Sequence, residues 1–95
     1  MTIGIDYDGT FSEDPDLWRT FVGHAVARGH KCVCVTGRGD EEKMSAEVRH
    51  AVGSLMPIVF AGTAWKRDAA INSGFDVNVW IDDNPEYVAR PPAVC

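Results

Sequence analysis

Four short apolar runs, each leading through a polar turn into a helix-spaced segment, constrain this chain more than any other feature of it. The runs cover 2–6, 32–36, 57–60 and 77–81, and βα units in such succession build a parallel sheet with helices on both faces. Cys32-Val33-Cys34-Val35-Thr36 is continuous and β-rich, the pattern of a strand buried on both sides. Asp14-Pro15 reads as an N-cap followed by a proline in the first helical position. Behind it Leu17, Trp18, Phe21, Val22, Ala25 and Val26 recur at helical spacing and predict one apolar face, closed by Gly29. Asp40 is expected to cap a second helix carrying Met44, Val48, Ala51 and Leu55, and a third helix over 64–73 ends at Gly74. Asn84-Pro85 opens a last helical turn that Pro91-Pro92 must end. The expected architecture is α/β: a three-layer, Rossmann-like α/β/α unit on a small parallel sheet of about four strands. At 95 residues there is room for a single domain, 1–95, and for no second one.

Composition narrows the function classes. A net charge of −5 and a pI near 4.9 argue against a general nucleic-acid or membrane-surface binder. No apolar stretch approaches the roughly 20 residues that cross a bilayer, and Met1 to Asp6 lacks the basic and long apolar regions of a signal peptide. Three cysteines are too few for a disulfide scaffold, and Cys32 and Cys34 read as small core residues of a reduced, cytoplasmic protein. His24, His30 and His50 show no ligand spacing and read as surface or helix-end residues. Trp18, Trp65 and Trp80 fall in or beside apolar faces, where core packing is the default; Trp65, next to Lys66, is also a candidate pocket wall.

In open parallel sheets ligands bind beyond the carboxyl ends of the strands. The first run delivers Asp6, Tyr7, Asp8, Gly9 and Thr10 to that edge, the second Thr36, Gly37 and Arg38, and the fourth Asp82 and Asp83. The start of the third helix adds Lys66 and Arg67. Carboxylates gathered on one rim repel one another, so a cation must join them, and Mg²⁺ suits a set of carboxylates, water and phosphate oxygens. Phosphoryl transfer needs groups of these kinds. Asp6, at the end of a rigid strand, is the candidate nucleophile for an acyl-phosphate. Asp8 is the candidate proton donor and acceptor, with Gly9 letting the chain curl back. The Thr36 hydroxyl, the Lys66 ammonium and backbone N–H groups suit the charge of a transferred phosphoryl group. Asp82 completes a metal site, while Asp83 either supports it from behind or caps the last helical turn. Arg38 reads equally as a substrate contact and as a solvated arginine.

Taken together these residues resemble the haloacid dehalogenase (HAD) superfamily of phosphohydrolases. Asp6-Tyr7-Asp8-Gly9-Thr10 is similar to its DxDGT signature, Thr36-Gly37-Arg38 to its second motif, Lys66 to its third and Asp82-Asp83 to its acidic fourth, in the family's order and across nearly the whole chain. The resemblance implies a Mg²⁺-dependent phosphatase. In it Asp6 is nucleophile and metal ligand, and Asp8 is general acid/base and a backbone-carbonyl ligand. Thr36, Gly37 and Lys66 bind phosphate, and Asp82 binds the metal. It also implies that the fourth strand lies beside the first.

Family members usually insert a cap domain after the first motif or after the third strand, and neither Phe11–Asp14 nor the stretch between Phe60 and Lys66 has room for one. The chain therefore resembles a minimal capless (C0-type) member with a site open to solvent, a form compatible with a macromolecular substrate or a homo-oligomer. The family also adds a helix and a strand after the fourth motif, for which Tyr87 to Cys95 is too short. The expected partner is a phosphorylated substrate, small or macromolecular. A polynucleotide end phosphatase and a non-catalytic metal- and phosphate-binding module are the alternatives. A receiver domain fits less well, because its phosphorylated aspartate lies on the third strand, where this chain has Val59-Phe60-Ala61-Gly62.

Overall fold

The computed structural model describes residues 1–91, so Pro92, expected to help end the last helical turn, and Cys95 lie outside the described residues. Among these are four strands, β1 (Thr2–Ile5), β2 (Lys31–Thr36), β3 (Ile58–Phe60) and β4 (Val79–Ile81), with three helices between them. The helices are α1 (Pro15–Ala27), α2 (Glu42–Val52) and α3 (Lys66–Asn72), and 3-10 turns cover Phe11–Glu13 and Pro85–Tyr87. All pairings are parallel and the strand order is β3-β2-β1-β4, so β1 and β2 form the centre and β4 lies beside β1. Ile5 is in register with Cys34 on one side and Ile81 on the other.

Strand alternation divides the core between the two faces. Ile3, Ile5, Cys32 and Cys34 point to the side where Val22 and Ala25 of α1 and Val48 and Val52 of α2 pack. Val33, Val35 and Val59 point to the other side, against Ala70 of α3 with Val77 and Trp80. Val33 and Val35 are fully buried, and removing each from water contributes about 1.5–3 kcal/mol. Gly4 belongs to this second face, where the Trp80 ring and Val77 lie 3.0 Å from the position of any added Cβ; the glycine makes room for the tryptophan. Cys32 and Cys34 are free, buried core residues as expected, and burial pushes the Cys34 thiol up to about 12.

Local signals hold in part. Asp14 caps α1, its Oδ1 accepting from the Leu17 N–H at 3.2 Å, with Pro15 in the first position. Asp40 does not cap α2: the helix starts one residue later behind Glu41, without a side-chain cap. The apolar face of α1 is narrower than its sequence suggests. Trp18, Phe21, Val22 and Ala25 pack inward, whereas Leu17 and Val26 are 55% and 52% exposed, because α1 meets the core along one stripe only. In α2, Val48 is buried and Met44 is 41% exposed, and Leu55 packs on the core from beyond the helix end. The third helix is shorter than 64–73, and the fourth strand begins at Val79, preceded by Asn78, whose N–H donates to the Thr2 carbonyl at 2.8 Å. His24 and His50 are exposed, while His30 accepts from the terminal ammonium at 2.9 Å.

Candidate active site

The carboxyl ends of β1 and β4 place two aspartates side by side. The Asp6 N–H donates to the Ile81 carbonyl at 2.9 Å, carrying the pairing one residue past β1, so Asp6 and Asp82 leave adjacent strands at one level. The chain then turns sharply, with Phe11 N–H on the Asp6 carbonyl and Ser12 N–H on the Tyr7 carbonyl at 3.2 and 2.9 Å. Gly9 makes this turn with a φ of +80°, and a Cβ there would run into the Asp83 carboxylate. Asp83 is also touched by the Thr10 hydroxyl at 3.4 Å.

Lys66, the first residue of α3, projects into this group and is 6% exposed. Its Nζ donates to Asp6 Oδ1 at 2.8 Å and to Asp82 Oδ2 at 2.6 Å. Asp82 Oδ1 accepts from the Asn84 N–H at 2.9 Å. One buried ammonium thus faces two buried carboxylates, with Asp83 as a third acid alongside. Burial pushes the Asp6 carboxyl up to about 6; the Lys66 hydrogen bond opposes this, and its neighbours Asp83 and Asp82 reinforce it. Asp83 shifts the opposite way, held low chiefly by its hydrogen bond with Asp6. Burial works against the Lys66 charge, but its bonds to Asp6 and Asp82 outweigh that and raise its pKa.

Two carboxylates within hydrogen-bond reach share either a proton or a cation. Oxygens of Asp6, Asp82 and Asp83 lie within 4.8 Å of one another. Three ionised acids against Lys66 leave a net negative charge, and the three carboxylates form a group of the kind that can hold a metal ion.

The remaining candidates separate. Asp8 is turned to the rim, where Arg38 clamps both its oxygens, Nε to Oδ2 at 2.9 Å and Nη2 to Oδ1 at 2.7 Å. Arg38 is held in turn by the Met44 carbonyl at 3.1 Å and by Glu47 at 3.4 Å, and lies over the Tyr7 ring at 5.3 Å. It is half-buried and engaged by Asp8. Thr36 is fully buried and its hydroxyl accepts the Arg38 N–H at 3.2 Å, so a Thr36–phosphate contact requires this turn to open. Arg67 is exposed and gives its N–H to the Val88 carbonyl at 2.8 Å, leaving Lys66 as the cation of the site.

Above Lys66 opens a cleft of about 580 Å³, lined by Asp6, Asp8, Gly37 and Lys66 and by the stretches 62–65 and Asn84 with Tyr87. Trp65 is thus a wall of the cleft rather than a core residue. Sequence reasoning missed Tyr87, Asn84 and Thr63, which carry no motif, and Glu47, whose link to Tyr7 (2.8 Å) spans 40 positions. Tyr7 had a local signal, since alternation from Asp6 turns it to the opposite face, where it is 3% exposed and packs on Phe11. No helix among the described residues is long and apolar enough to cross a membrane. Comparison with protein-family models, curated proteins and solved structures finds no match to this chain.

Proposed function

We propose that this chain is a capless, HAD-type, Mg²⁺-dependent phosphatase hydrolysing phosphomonoesters through an aspartyl-phosphate on Asp6. The observation that carries the reading is the Lys66 ammonium joining Asp6 and Asp82 at 2.8 and 2.6 Å beside Asp83, under an open cleft. A structural ion pair needs one acid for one base; a surplus of acids at the ends of two neighbouring strands suits a site that takes up a cation and a phosphate.

Asp6, Asp82 and Asp83 are the side chains that would hold Mg²⁺, with the Asp8 carbonyl as a further ligand, and the ion would neutralise charge on the phosphoryl oxygens. In the first half-reaction an Asp6 oxygen attacks phosphorus, the bond to the leaving oxygen breaks, and Asp8 gives that oxygen its proton. In the second, Asp8 takes a proton from water, the water oxygen attacks phosphorus, and the acyl-phosphate bond breaks to release phosphate and restore the Asp6 carboxylate. Lys66 holds Asp6 in line and offers charge to the phosphoryl oxygens. Asp8 performs neither proton transfer while both its oxygens are bound to Arg38, so the Asp8–Arg38 pair opens in each cycle.

That same pair favours a second reading, a module that binds metal and phosphate without turnover. Hydrolysis of p-nitrophenyl phosphate by wild type and Asp6→Asn, with and without Mg²⁺, separates the two. The phosphatase shows metal-dependent turnover that falls on the order of 10⁴-fold or more in the variant. Wild-type protein that binds Mg²⁺ and turns nothing over is the binding module. The low share of basic residues, nine Lys and Arg in all, weighs against a polynucleotide substrate.

A further inference from the structure

The cleft has a chemical polarity that the phosphatase reading does not use. Its lining joins the buried Asp6 and Lys66 to two aromatic residues, Trp65 and Tyr87. Their positions are tied to that of Lys66 by the backbone. Trp65 immediately precedes Lys66, and Tyr87 immediately precedes Val88, a buried residue whose carbonyl takes the Arg67 N–H at 2.8 Å. The 3-10 turn carrying Tyr87 is closed by Tyr87 N–H to Asn84 and Val88 N–H to Pro85, both at 3.1 Å. Tyr87 itself is 60% exposed, and its ring contributes nothing to either core cluster. A large exposed ring on a hydrogen-bonded turn that lines a cleft, outside both core clusters, is a surface for a ligand.

Charge supplies the second constraint. Lys66 is the cation among the cleft-lining residues, and it already faces two carboxylates; Asp8 and Asp6 are the other charged members. No lining residue is available to neutralise a second phosphate. The volume of about 580 Å³ lies within the roughly 300–1,000 Å³ of small-molecule sites.

Resting on the phosphatase reading, we infer that the substrate is a small monophosphate whose leaving group carries a planar aromatic ring, received against Trp65 and Tyr87 while its phosphate meets Lys66. Nucleoside monophosphates and arylalkyl phosphates belong to this class; polyphosphates and nucleic-acid chains do not.

The test compares benzyl phosphate with cyclohexylmethyl phosphate, which match in size and in leaving-group type but differ in aromaticity. Binding of each is measured by calorimetry on Asp6→Asn in Mg²⁺, beside inorganic phosphate, and turnover of each on wild type. Benzyl phosphate is expected to bind about tenfold tighter, the order an aromatic contact supplies. Adding Trp65→Leu or Tyr87→Leu, which keep apolar bulk, should collapse that ratio towards one, with circular dichroism checking the fold. Equal binding of the two esters with normal turnover overturns the aromatic inference and leaves the phosphatase standing. A benzyl preference that survives both leucine variants in folded protein also overturns it. Absence of turnover of either ester, together with absence of inorganic phosphate binding, removes the phosphatase reading and the inference with it.

Discussion

Replacing Asp6 with asparagine should stabilise the metal-free protein at neutral pH. Burial raises the Asp6 pKa from 3.8 to about 6. A carboxyl whose folded pKa lies above its unfolded one binds more protons folded than unfolded between the two values. Its contribution to stability is therefore lost as pH rises from about 4 to 6, and above that range the folded state carries the full cost of the charge. At about 1.36 kcal/mol per pH unit, the cost has a ceiling of about 3 kcal/mol. Asparagine removes the charge, keeps an oxygen for Lys66 and offers an N–H to Asp83, but it weakens the attraction that Lys66 now enjoys. A net gain of about 1–2 kcal/mol follows, equivalent to about 5–15 °C in Tm for a domain of this size. Thermal unfolding by circular dichroism in EDTA at pH 7.5 and pH 4 checks it: the gain should appear at the higher pH and vanish at the lower. Added Mg²⁺ should narrow the gap by stabilising wild type. An Asp6→Asn protein that melts at or below wild type at pH 7.5 in EDTA refutes the account of Asp6 as a destabilised buried acid.

Lys66→Met should cost about 3–5 kcal/mol in urea denaturation at pH 7.5, because it leaves Asp6 and Asp82 buried without their cation, and less at pH 5, where Asp6 takes up a proton. Gly9→Ala puts a side chain at φ +80° and into Asp83; titration calorimetry should show Mg²⁺ affinity falling about 10–100-fold. Asp14→Ala removes the cap of α1 and should cost about 1 kcal/mol in the same denaturation assay, with Mg²⁺ affinity unchanged.

The sequence alone determined the order of elements and the set of residues at the strand ends. Apolar runs of strand length, a proline after Asp14 and glycines at the turns are local signals, and they act through backbone conformation and burial that need no distant partner. The convergence of Asp6, Lys66, Asp82 and Asp83 followed from the same reasoning, because strand ends of a parallel sheet share one edge, and the observed β1–β4 pairing brings it about. The tertiary structure decided what depends on contacts between distant segments. Asp8 and Arg38 form a clamped pair because Met44, Glu47 and the Tyr7 ring hold the guanidinium from other elements. Thr36 is fully buried, with its hydroxyl accepting the Arg38 N–H, and does not line the cleft. Leu17 and Val26 stay exposed because only one stripe of α1 meets the core. Trp65 and Tyr87 line the same cleft because the Arg67–Val88 hydrogen bond docks the last turn on the start of α3. Periodicity reports which face of an element is apolar; how wide a surface that face meets, and which charged partner reaches a given side chain first, depends on chain folding in three dimensions.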